Sequence, residues 1–254
     1  MAEPTADPRL KPGTGVGLTA RFARNTTLTT LSVGFRMLSK GPVRIFGELP
    51  PPPCVVAFHH NAPVDAFALG QASRKAGHIP IALVKDSLFK APGLGWIVRN
   101  AGMVPVIRDD VGGRDQAMLV SLEHLRRGHT LFVAPAGTIV ASQEVEEERY
   151  RPGAARLAVE VGVPIVAAVV LGPHRWGGHR RPFRPRPNTP IDIHYGQPFN
   201  ASGEPRDVVP RMAAAVRELL DQAYAVYPEP GIGQWWWPLR LGGSAPPIPV
   251  EQQD

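Results

Sequence analysis

Two residues that follow a short apolar segment have the chemistry needed for proton transfer. His60 lies just after residues 54–58, and Asp65 lies five positions further on. An imidazole with a pKa of about 6.5 is a natural general base at neutral pH, and it works better when a carboxylate holds its second ring nitrogen. A turn ending in a helix start at Pro63 would bring the two side chains together. We expect His60 to act as a general base oriented by Asp65; plain turn and helix-capping roles explain the same pair equally well.

Two other segments carry groups that bind anions. Arg108 follows an apolar segment, and a guanidinium at a strand end can bind phosphate through two hydrogen bonds. Gly137 and Thr138 follow another apolar segment, where a glycine lets backbone amides approach a ligand. Each has an ordinary alternative, since Arg108 could pair with Asp109 or Asp110 and the Gly-Thr pair could form a simple turn.

These residues follow apolar segments that alternate with helical patterns, which predicts an α/β domain. Segment 164–171 is apolar along its length, as in strands covered by helices on both faces. We expect a central, mostly parallel or mixed sheet flanked by helices; if its strands are parallel, their carboxyl ends bring the chemical groups to one rim. The predicted strands are 54–58, 79–84, 103–107, 130–134, 164–171 and, at an edge, 191–195. The predicted helices are 64–75, 93–100, 114–127, 153–161 and 208–224.

Composition narrows the class of protein and of partner. The 254 residues are 43% hydrophobic and 20% charged, which is typical of a globular domain. The net charge of +6 favours an anionic partner such as lipid headgroups, phosphorylated metabolites or nucleic acid. The single cysteine, Cys54, rules out an internal disulfide, fits a reducing compartment and is expected to be buried and inert. No apolar stretch reaches the roughly 18 residues that span a bilayer, so we expect a cytoplasmic protein.

Both ends of the chain have patterns that suit a membrane surface. Residues 18–40 place apolar side chains at helical spacing and cations outside that stripe, as in helices that lie on anionic lipid. Trp235–Trp237 suit a bilayer interface, although packing of either segment on its own domain is at least as plausible. The predicted organisation is a disordered tail plus amphipathic helix (1–49), the α/β domain (50–227) and a Trp/Pro-rich tail (228–254). Residues 174–187 are expected to form a basic surface loop. The apolar stripe consists of Leu28, Leu31, Phe35 and Leu38.

In order and interval, these segments resemble the sequence blocks of the glycerolipid acyltransferase family, typified by bacterial lysophosphatidic acid acyltransferase. The first family block is Asn-His-x-Ser-x-x-Asp. Here His60 and Asp65 match it, with His59 and Ala62 in the Asn and Ser positions. The second block is Gly-x-x-Phe-Ile-x-Arg. Here Gly102 and Arg108 match it at the right interval, with Pro105 in the Phe position.

The resemblance extends over residues 54–172. The third block, Phe-Pro-Glu-Gly-Thr-Arg, keeps Pro135, Gly137 and Thr138 but has Ala136 and Ile139 where the family has its carboxylate and its cation. The fourth block contains Val-Pro-Ile, found here at residues 163–165. Between the blocks, residues 85–96 are similar to the family's Lys-x-x-Leu-Phe-x-x-Pro-x-x-Gly-Trp stretch, which begins at Lys85.

The resemblance implies an O-acyltransferase that uses neither a metal nor another cofactor. His60 would deprotonate the acceptor hydroxyl, which attacks the thioester of acyl-CoA or acyl carrier protein, and Asp65 would orient His60. The partners would be an anionic membrane surface, a lysophospholipid acceptor such as lysophosphatidic acid and the acyl donor, with no nucleic acid. The location would be peripheral, on the inner face of the cell membrane. The substrate-binding residues would be Lys85, Gly102, Arg108, Pro135, Gly137 and Thr138.

The eroded third block keeps alternatives open. Because Ala136 and Ile139 lack the family's charges, the acceptor could be another lysolipid or a non-glycerolipid hydroxyl compound. A catalytically silent relative that binds lipid or a partner enzyme is a second hypothesis. Nucleic-acid binding by loop 174–187 is less favoured, because only two aromatic residues accompany its cations. A metal hydrolase is weaker still, because no HExxH or Cys/His set accompanies His59, His60 and Asp65.

Overall fold

The computed structural model describes residues 26–245 except 28, 31, 32, 34, 36, 38, 108, 109, 141, 146–148, 179 and 180. These described residues form a mixed eight-stranded sheet flanked by helices, which confirms the predicted α/β class. The strands are β1 (Val43–Phe46), β2 (Val55–Phe58), β3 (Pro80–Lys85), β4 (Val104–Val106), β5 (Thr130–Val133), β6 (Pro164–Leu171), β7 (Ile191–Tyr195) and β8 (Phe199–Asn200). The helices are α1 (Asp65–Lys75), α2 (Asp86–Lys90), α3 (Leu94–Asn100), α4 (Val111–Arg126), α5 (Gly153–Val161) and α6 (Pro205–Val226).

The order of the strands is β1-β7-β6-β2-β5-β3-β4, with β8 beside β6. Strands β2 to β6 are parallel to their neighbours within this group, so their carboxyl ends share one rim. Strand β7 runs antiparallel to β6, and β1 runs parallel to β7. The prediction that β7 is an edge strand is wrong, because β1 covers it. Strand β1 is half-exposed and contains Arg44, which pairs with the buried Asp192 at 2.8 Å, so its pattern did not indicate a strand.

The sheet buries apolar side chains on both faces. Alternate residues of β2 point to opposite sides, with Val55 and Ala57 in one cluster and Val56 and Phe58 in the other. Helices α4, α5 and α6 cover the first face, and α1 covers the second. Cys54 is a free, buried thiol, as its sequence context predicted. This double coverage explains why β2 and β6 are apolar along their lengths.

Two of the three adjacent tryptophans pack inside the protein. Trp236 and Trp237 are each 4% exposed, and the Trp237 ring meets the edge of Tyr224 on α6 at a centroid distance of 4.8 Å. The indole Nε1 of Trp237 donates to the carbonyl of Leu241 at 3.1 Å. Trp235 is half-buried, with the Arg181 guanidinium 4.3 Å from its ring centroid. Packing on the domain is therefore the structural role of Trp236 and Trp237.

The segment 174–187 is only partly a surface loop. His174 and Trp176 lie in a short 3₁₀ turn, Pro173–Trp176, and both are buried. The Trp176 indole donates to the Thr189 hydroxyl at 2.9 Å, which satisfies its N–H inside the core. The prediction of a basic surface loop is wrong for these two residues.

The N-terminal segment is helical at the described positions between 26 and 39. Phe35 packs against Phe67 of α1 and against Trp176, with ring centroids 5.4 and 5.7 Å apart. The other members of the predicted apolar stripe lie outside the described residues: Leu28, Leu31 and Leu38. Within the described ranges, none of the helices combines the length and apolar character needed to cross a bilayer.

Candidate active site at the carboxyl ends of the parallel strands

The His60 ring and the Asp65 carboxylate lie together at the end of β2. Nδ1 of His60 is 3.3 Å from Oδ2 of Asp65, slightly longer than a strong hydrogen bond and in the range usual for sites without substrate. The Asp65 side chain is fully buried, whereas the His60 side chain is 19% exposed. The edge of the His60 ring also contacts Phe58, at a centroid distance of 5.3 Å. The pair therefore has one buried anchor and one ring that solvent or substrate can reach.

Asp65 holds the preceding loop in place. It is the first residue of α1, and its Oδ2 accepts hydrogen bonds from the backbone N–H groups of Asn61 (2.8 Å) and Ala62 (2.7 Å). Burial raises the pKa of the Asp65 carboxyl above its ordinary value, and the His60 ring and the two N–H groups act in the opposite direction. The sequence window from His60 to Asp65 thus folds into a loop that the carboxylate itself organises.

Behind this loop lies a buried polar network that the sequence analysis missed. The Gln143 carbonyl oxygen accepts from the Asn61 amide and from the Tyr224 hydroxyl, each at 3.0 Å. Gln143 and Tyr224 are more than 80 positions from Asn61, so no local motif links them. The sequence could have indicated this network through Tyr224 alone, which lies on the apolar stripe of α6, because a buried phenol needs a hydrogen-bond partner.

Two buried histidines flank the loop. Burial lowers the pKa of His59 to about 4, with a smaller effect from neighbouring His60. Burial also lowers the pKa of His174 to about 3, helped by nearby Arg175 and His59. Nδ1 of His174 accepts from the Gly172 N–H at 3.0 Å, consistent with a neutral ring. Both histidines are structural, neutral groups near neutral pH, which leaves His60 as the accessible ring at this strand end.

The third block forms a turn directly beside His60. Gly137 closes the turn with a hydrogen bond from its N–H to the Ala134 carbonyl at 2.9 Å, and its φ of +70° suits glycine. The N–H of Val140 donates to the His60 carbonyl at 2.8 Å, which ties the chain after Thr138 to the first block. Pro135 accepts from the backbone N–H of Arg151 at 3.0 Å. The structure therefore brings Pro135, Gly137 and Thr138 to the His60 loop.

The remaining predicted site residues divide between the two ends of the sheet. Lys85 is the last residue of β3 and is exposed at the carboxyl rim. Arg108 lies outside the described residues. Gly102 precedes β4 at the opposite end of the sheet, where its φ is +73° and its N–H bonds to the Arg99 carbonyl at 3.0 Å. Gly102 ends helix α3 and does not join the group around His60.

Arg151 is a cation at the rim that the sequence analysis did not single out. Its Cζ and Nε each lie 3.8 Å from the position that a Cβ atom on Gly137 would occupy. The sequence indicated Arg151 only by its position: it lies shortly before α5 begins at Gly153, in a segment that contains none of the family blocks. Among the described residues, no group of three or more His, Cys, Asp and Glu side chains could hold a metal ion.

The arrangement places an accessible imidazole, paired with a carboxylate, beside a glycine turn. The His60 ring can donate from Nδ1 to Asp65 and use Nε2 as the acceptor of a substrate proton. On the same rim lie the glycine turn, which Arg151 contacts, and Lys85, the last residue of β3. In α/β proteins this end of the sheet is where ligands bind.

Comparison with known proteins agrees with this architecture. Residues 43–171 match the family profile described as Acyltransferase, which spans half of the chain. The 1-acyl-sn-glycerol-3-phosphate acyltransferases BAT2 of Brassica napus and LPAT1 of Arabidopsis thaliana, both chloroplastic, are 27% and 26% identical over 120 residues. Those regions cover 47% of this chain but only 33% and 32% of the two relatives.

A solved structure shares the fold. The 1-acyl-sn-glycerophosphate acyltransferase PlsC from Thermotoga maritima superimposes with a TM-score of 0.64, over 83% of each chain, at 18% identity. The profile match runs from β1 to the end of β6 and includes the His60 loop, the third-block turn and all five parallel strands. This chain therefore belongs to the Acyltransferase family.

Proposed function

We propose that this protein is an O-acyltransferase that moves a fatty acyl group from a thioester to a hydroxyl of a lysophospholipid such as lysophosphatidic acid. The observation that carries the proposal is the accessible His60 ring, 3.3 Å from a fully buried carboxylate and beside a glycine turn. The names of the two plant relatives, both acyltransferases for 1-acyl-sn-glycerol-3-phosphate, support the choice of acceptor.

In the proposed reaction, Nε2 of His60 removes the proton of the acceptor hydroxyl while Nδ1–H donates to Asp65. The resulting oxygen nucleophile attacks the carbonyl carbon of the thioester and forms a tetrahedral intermediate. Collapse of this intermediate breaks the carbon–sulfur bond, and the departing thiolate takes the proton from the imidazolium. The products are the new ester and the free thiol of coenzyme A or of acyl carrier protein. Asp65 stabilises the imidazolium that exists between the two proton transfers.

The acceptor's phosphate is proposed to bind on the rim next to the base. Lys85, Arg108 and the turn of Pro135, Gly137 and Thr138 are the residues proposed for it. A phosphate there would hold the lysolipid headgroup while its free hydroxyl reaches His60. Positioning of this kind is worth several kcal/mol in a reaction between two substrates.

Peripheral attachment to the inner face of the cell membrane is part of the proposal, because both substrates carry acyl chains. The N-terminal helical residues Val33 and Met37 are 50% and 67% exposed and lie one helical turn apart. Exposed apolar side chains on a protein of net charge +6 suit an anionic bilayer. Flotation with anionic vesicles tests this, and a protein that stays at the bottom of the gradient rejects it. The difference in binding between these vesicles and matched neutral vesicles gives the electrostatic contribution to membrane binding.

The test of the proposed base is thiol release from acyl-CoA with lysophosphatidic acid. His60→Ala should lower kcat by about 10²–10⁴-fold, the usual contribution of general base catalysis, with an unchanged thermal unfolding curve. The matched control is His124→Ala, which changes a half-exposed histidine in the last turn of α4. A fully active His60→Ala protein would refute the assignment.

The eroded third block makes the acceptor panel part of the same experiment. Ala136 is packed against the core and Ile139 is half-buried, so neither supplies a charge at the turn. Turnover only with hydroxyl acceptors other than lysophosphatidic acid would show that the acceptor is a different compound, and it would leave the proposed reaction unchanged. Absence of thiol release with every acceptor would favour the silent, lipid-binding relative.

A further inference from the structure

The turn after β5 has a cation beside it, although its own sequence lacks one. Position 139, where the resembling family carries arginine, holds Ile139. The guanidinium end of Arg151 lies over the turn instead, with Cζ and Nε 3.8 Å from the Cβ position of Gly137. Because Gly137 has no side chain, the guanidinium can lie directly against the backbone of the turn.

Arg151 is held to this turn by its own backbone. Its N–H donates to the Pro135 carbonyl at 3.0 Å, so the residue cannot move away from the turn without breaking that bond. Its side chain is exposed to solvent, and in the part of the chain that the structure describes no carboxylate forms an ion pair with it. Ala136 adds no acidic group inside the turn. The guanidinium is thus placed at the turn and is available to an incoming anion.

We propose that Arg151 binds the phosphate of the acceptor and replaces the cation missing at Ile139. This proposal rests on the proposed function and assigns to Arg151 the selection of phosphorylated over uncharged lysolipids. A guanidinium can bind two phosphate oxygens at once, and its contact with the Gly137 turn holds it at the rim. The distance between the two in the chain, 14 positions from Gly137 to Arg151, explains why no sequence block contains the pair.

The test compares two acceptors that differ in the phosphate alone. With lysophosphatidic acid, Arg151→Gln should raise KM by about 10–100-fold, the range expected for a charged hydrogen bond worth about 1.5–3 kcal/mol. With monoacylglycerol of the same acyl chain, KM should not change. Arg151→Lys should recover part of the affinity, and Arg206→Gln, an exposed arginine in the first turn of α6, should behave like the unmodified protein.

A compensating variant makes the prediction sharper. Introducing Ile139→Arg into the Arg151→Gln protein should restore a low KM for lysophosphatidic acid, because it returns a cation to the turn. An Arg151→Gln protein with unchanged KM, or with equal losses for both acceptors, would overturn the proposal.

Calorimetric binding of glycerol 3-phosphate separates this proposal from the proposed function. The unmodified protein should bind it about tenfold or more tightly than Arg151→Gln. If the unmodified protein binds but turns over no acceptor, the proposed function fails and the role of Arg151 stands. If both proteins bind it equally, or neither binds it, the role of Arg151 fails whatever the activity.

Discussion

Replacing Asp65 by asparagine separates the contacts of this carboxyl group with the loop from its proposed stabilisation of the His60 imidazolium. Oδ2 accepts from two backbone N–H groups and lies 3.3 Å from the His60 ring, while Oδ1 has no partner among the described residues. An asparagine of the same shape can place its carbonyl oxygen at the Oδ2 position and keep all three contacts. What it cannot supply is the negative charge.

The cost of the lost charge follows from the geometry. Two unit charges 3.3 Å apart attract each other by about 5 kcal/mol at an effective dielectric constant of about 20. The imidazolium charge is shared between two nitrogens and the ring is partly exposed, so about half of this value is realistic. A barrier raised by about 2.5–3 kcal/mol lowers kcat by about 100-fold.

The effect of Asp65→Asn on stability should be small. The buried charge, whose desolvation raises the pKa of this carboxyl, disappears together with its attraction to His60. The asparagine NH2 at the Oδ1 position would be buried without an acceptor, at a cost of about 1–3 kcal/mol, and the relief of the buried charge offsets part of this cost. We expect the free energy of unfolding in urea to fall by about 1 kcal/mol. Asp65→Ala should instead lose about 2–3 kcal/mol, because the N–H groups of Asn61 and Ala62 would be buried without an acceptor.

The assay is kcat for thiol release, read beside urea unfolding for each variant. Asp207→Asn, an exposed carboxyl in the first turn of α6, is the matched control and should leave both measurements unchanged. An Asp65→Asn protein that keeps more than about a tenth of the activity would show that the carboxylate does not stabilise the imidazolium. A loss of stability in Asp65→Asn as large as that in Asp65→Ala would show that the amide oxygen does not replace the carboxylate as the acceptor that holds the loop.

Two further predictions concern stability. Burial lowers the pKa of His59 to about 4 and that of His174 to about 3, so the unfolded chain binds protons before the folded chain as the pH falls below about 6.5. Each histidine should therefore lower the free energy of unfolding by about 2 kcal/mol between pH 7 and pH 5. Urea unfolding at the two pH values tests this; equal stability at both would contradict it, and His59→Gln should reduce the difference. Trp237→Ala should lose about 3–5 kcal/mol because it empties a buried site, whereas Trp235→Ala should lose less than about 1 kcal/mol. Thermal unfolding compares the two variants, and equal losses would contradict the packing described for Trp237.

The parallel part of the fold could be predicted because its signals are local. Strands β2 to β7 and the five longer helices have bounds within three residues of those predicted from apolar runs and helical spacing. The closeness of His60 and Asp65 could also be predicted, since only the loop 61–64 separates them. The sequence did not indicate that the Asp65 carboxylate accepts hydrogen bonds from the backbone N–H groups of Asn61 and Ala62 and so orders that loop.

The features that were missed depend on contacts between distant parts of the chain. Strand β1 is stabilised by its register with β7, from Val43 opposite Ile191 to Phe46 opposite His194, about 148 positions away. Helix α2 has five residues and none of them is buried, so it leaves no periodic pattern. Arg151 meets Gly137 only because the chain returns to the turn before α5 begins. Spacing alone carries no information about such encounters.

The C-terminal tryptophans illustrate how far a residue's role depends on its partners. The Asn61 amide in the His60 loop bonds to Gln143, Gln143 bonds to Tyr224, and the Tyr224 ring contacts Trp237. The composition of the C-terminal segment predicted a separate tail. This series of contacts instead joins Trp237 to the loop that contains His60. Because a buried amide or phenol without its partner costs about 1–3 kcal/mol, each member has a single favourable arrangement. The packing of Trp237 therefore restrains Tyr224, and through Gln143 it restrains Asn61, the residue that follows His60.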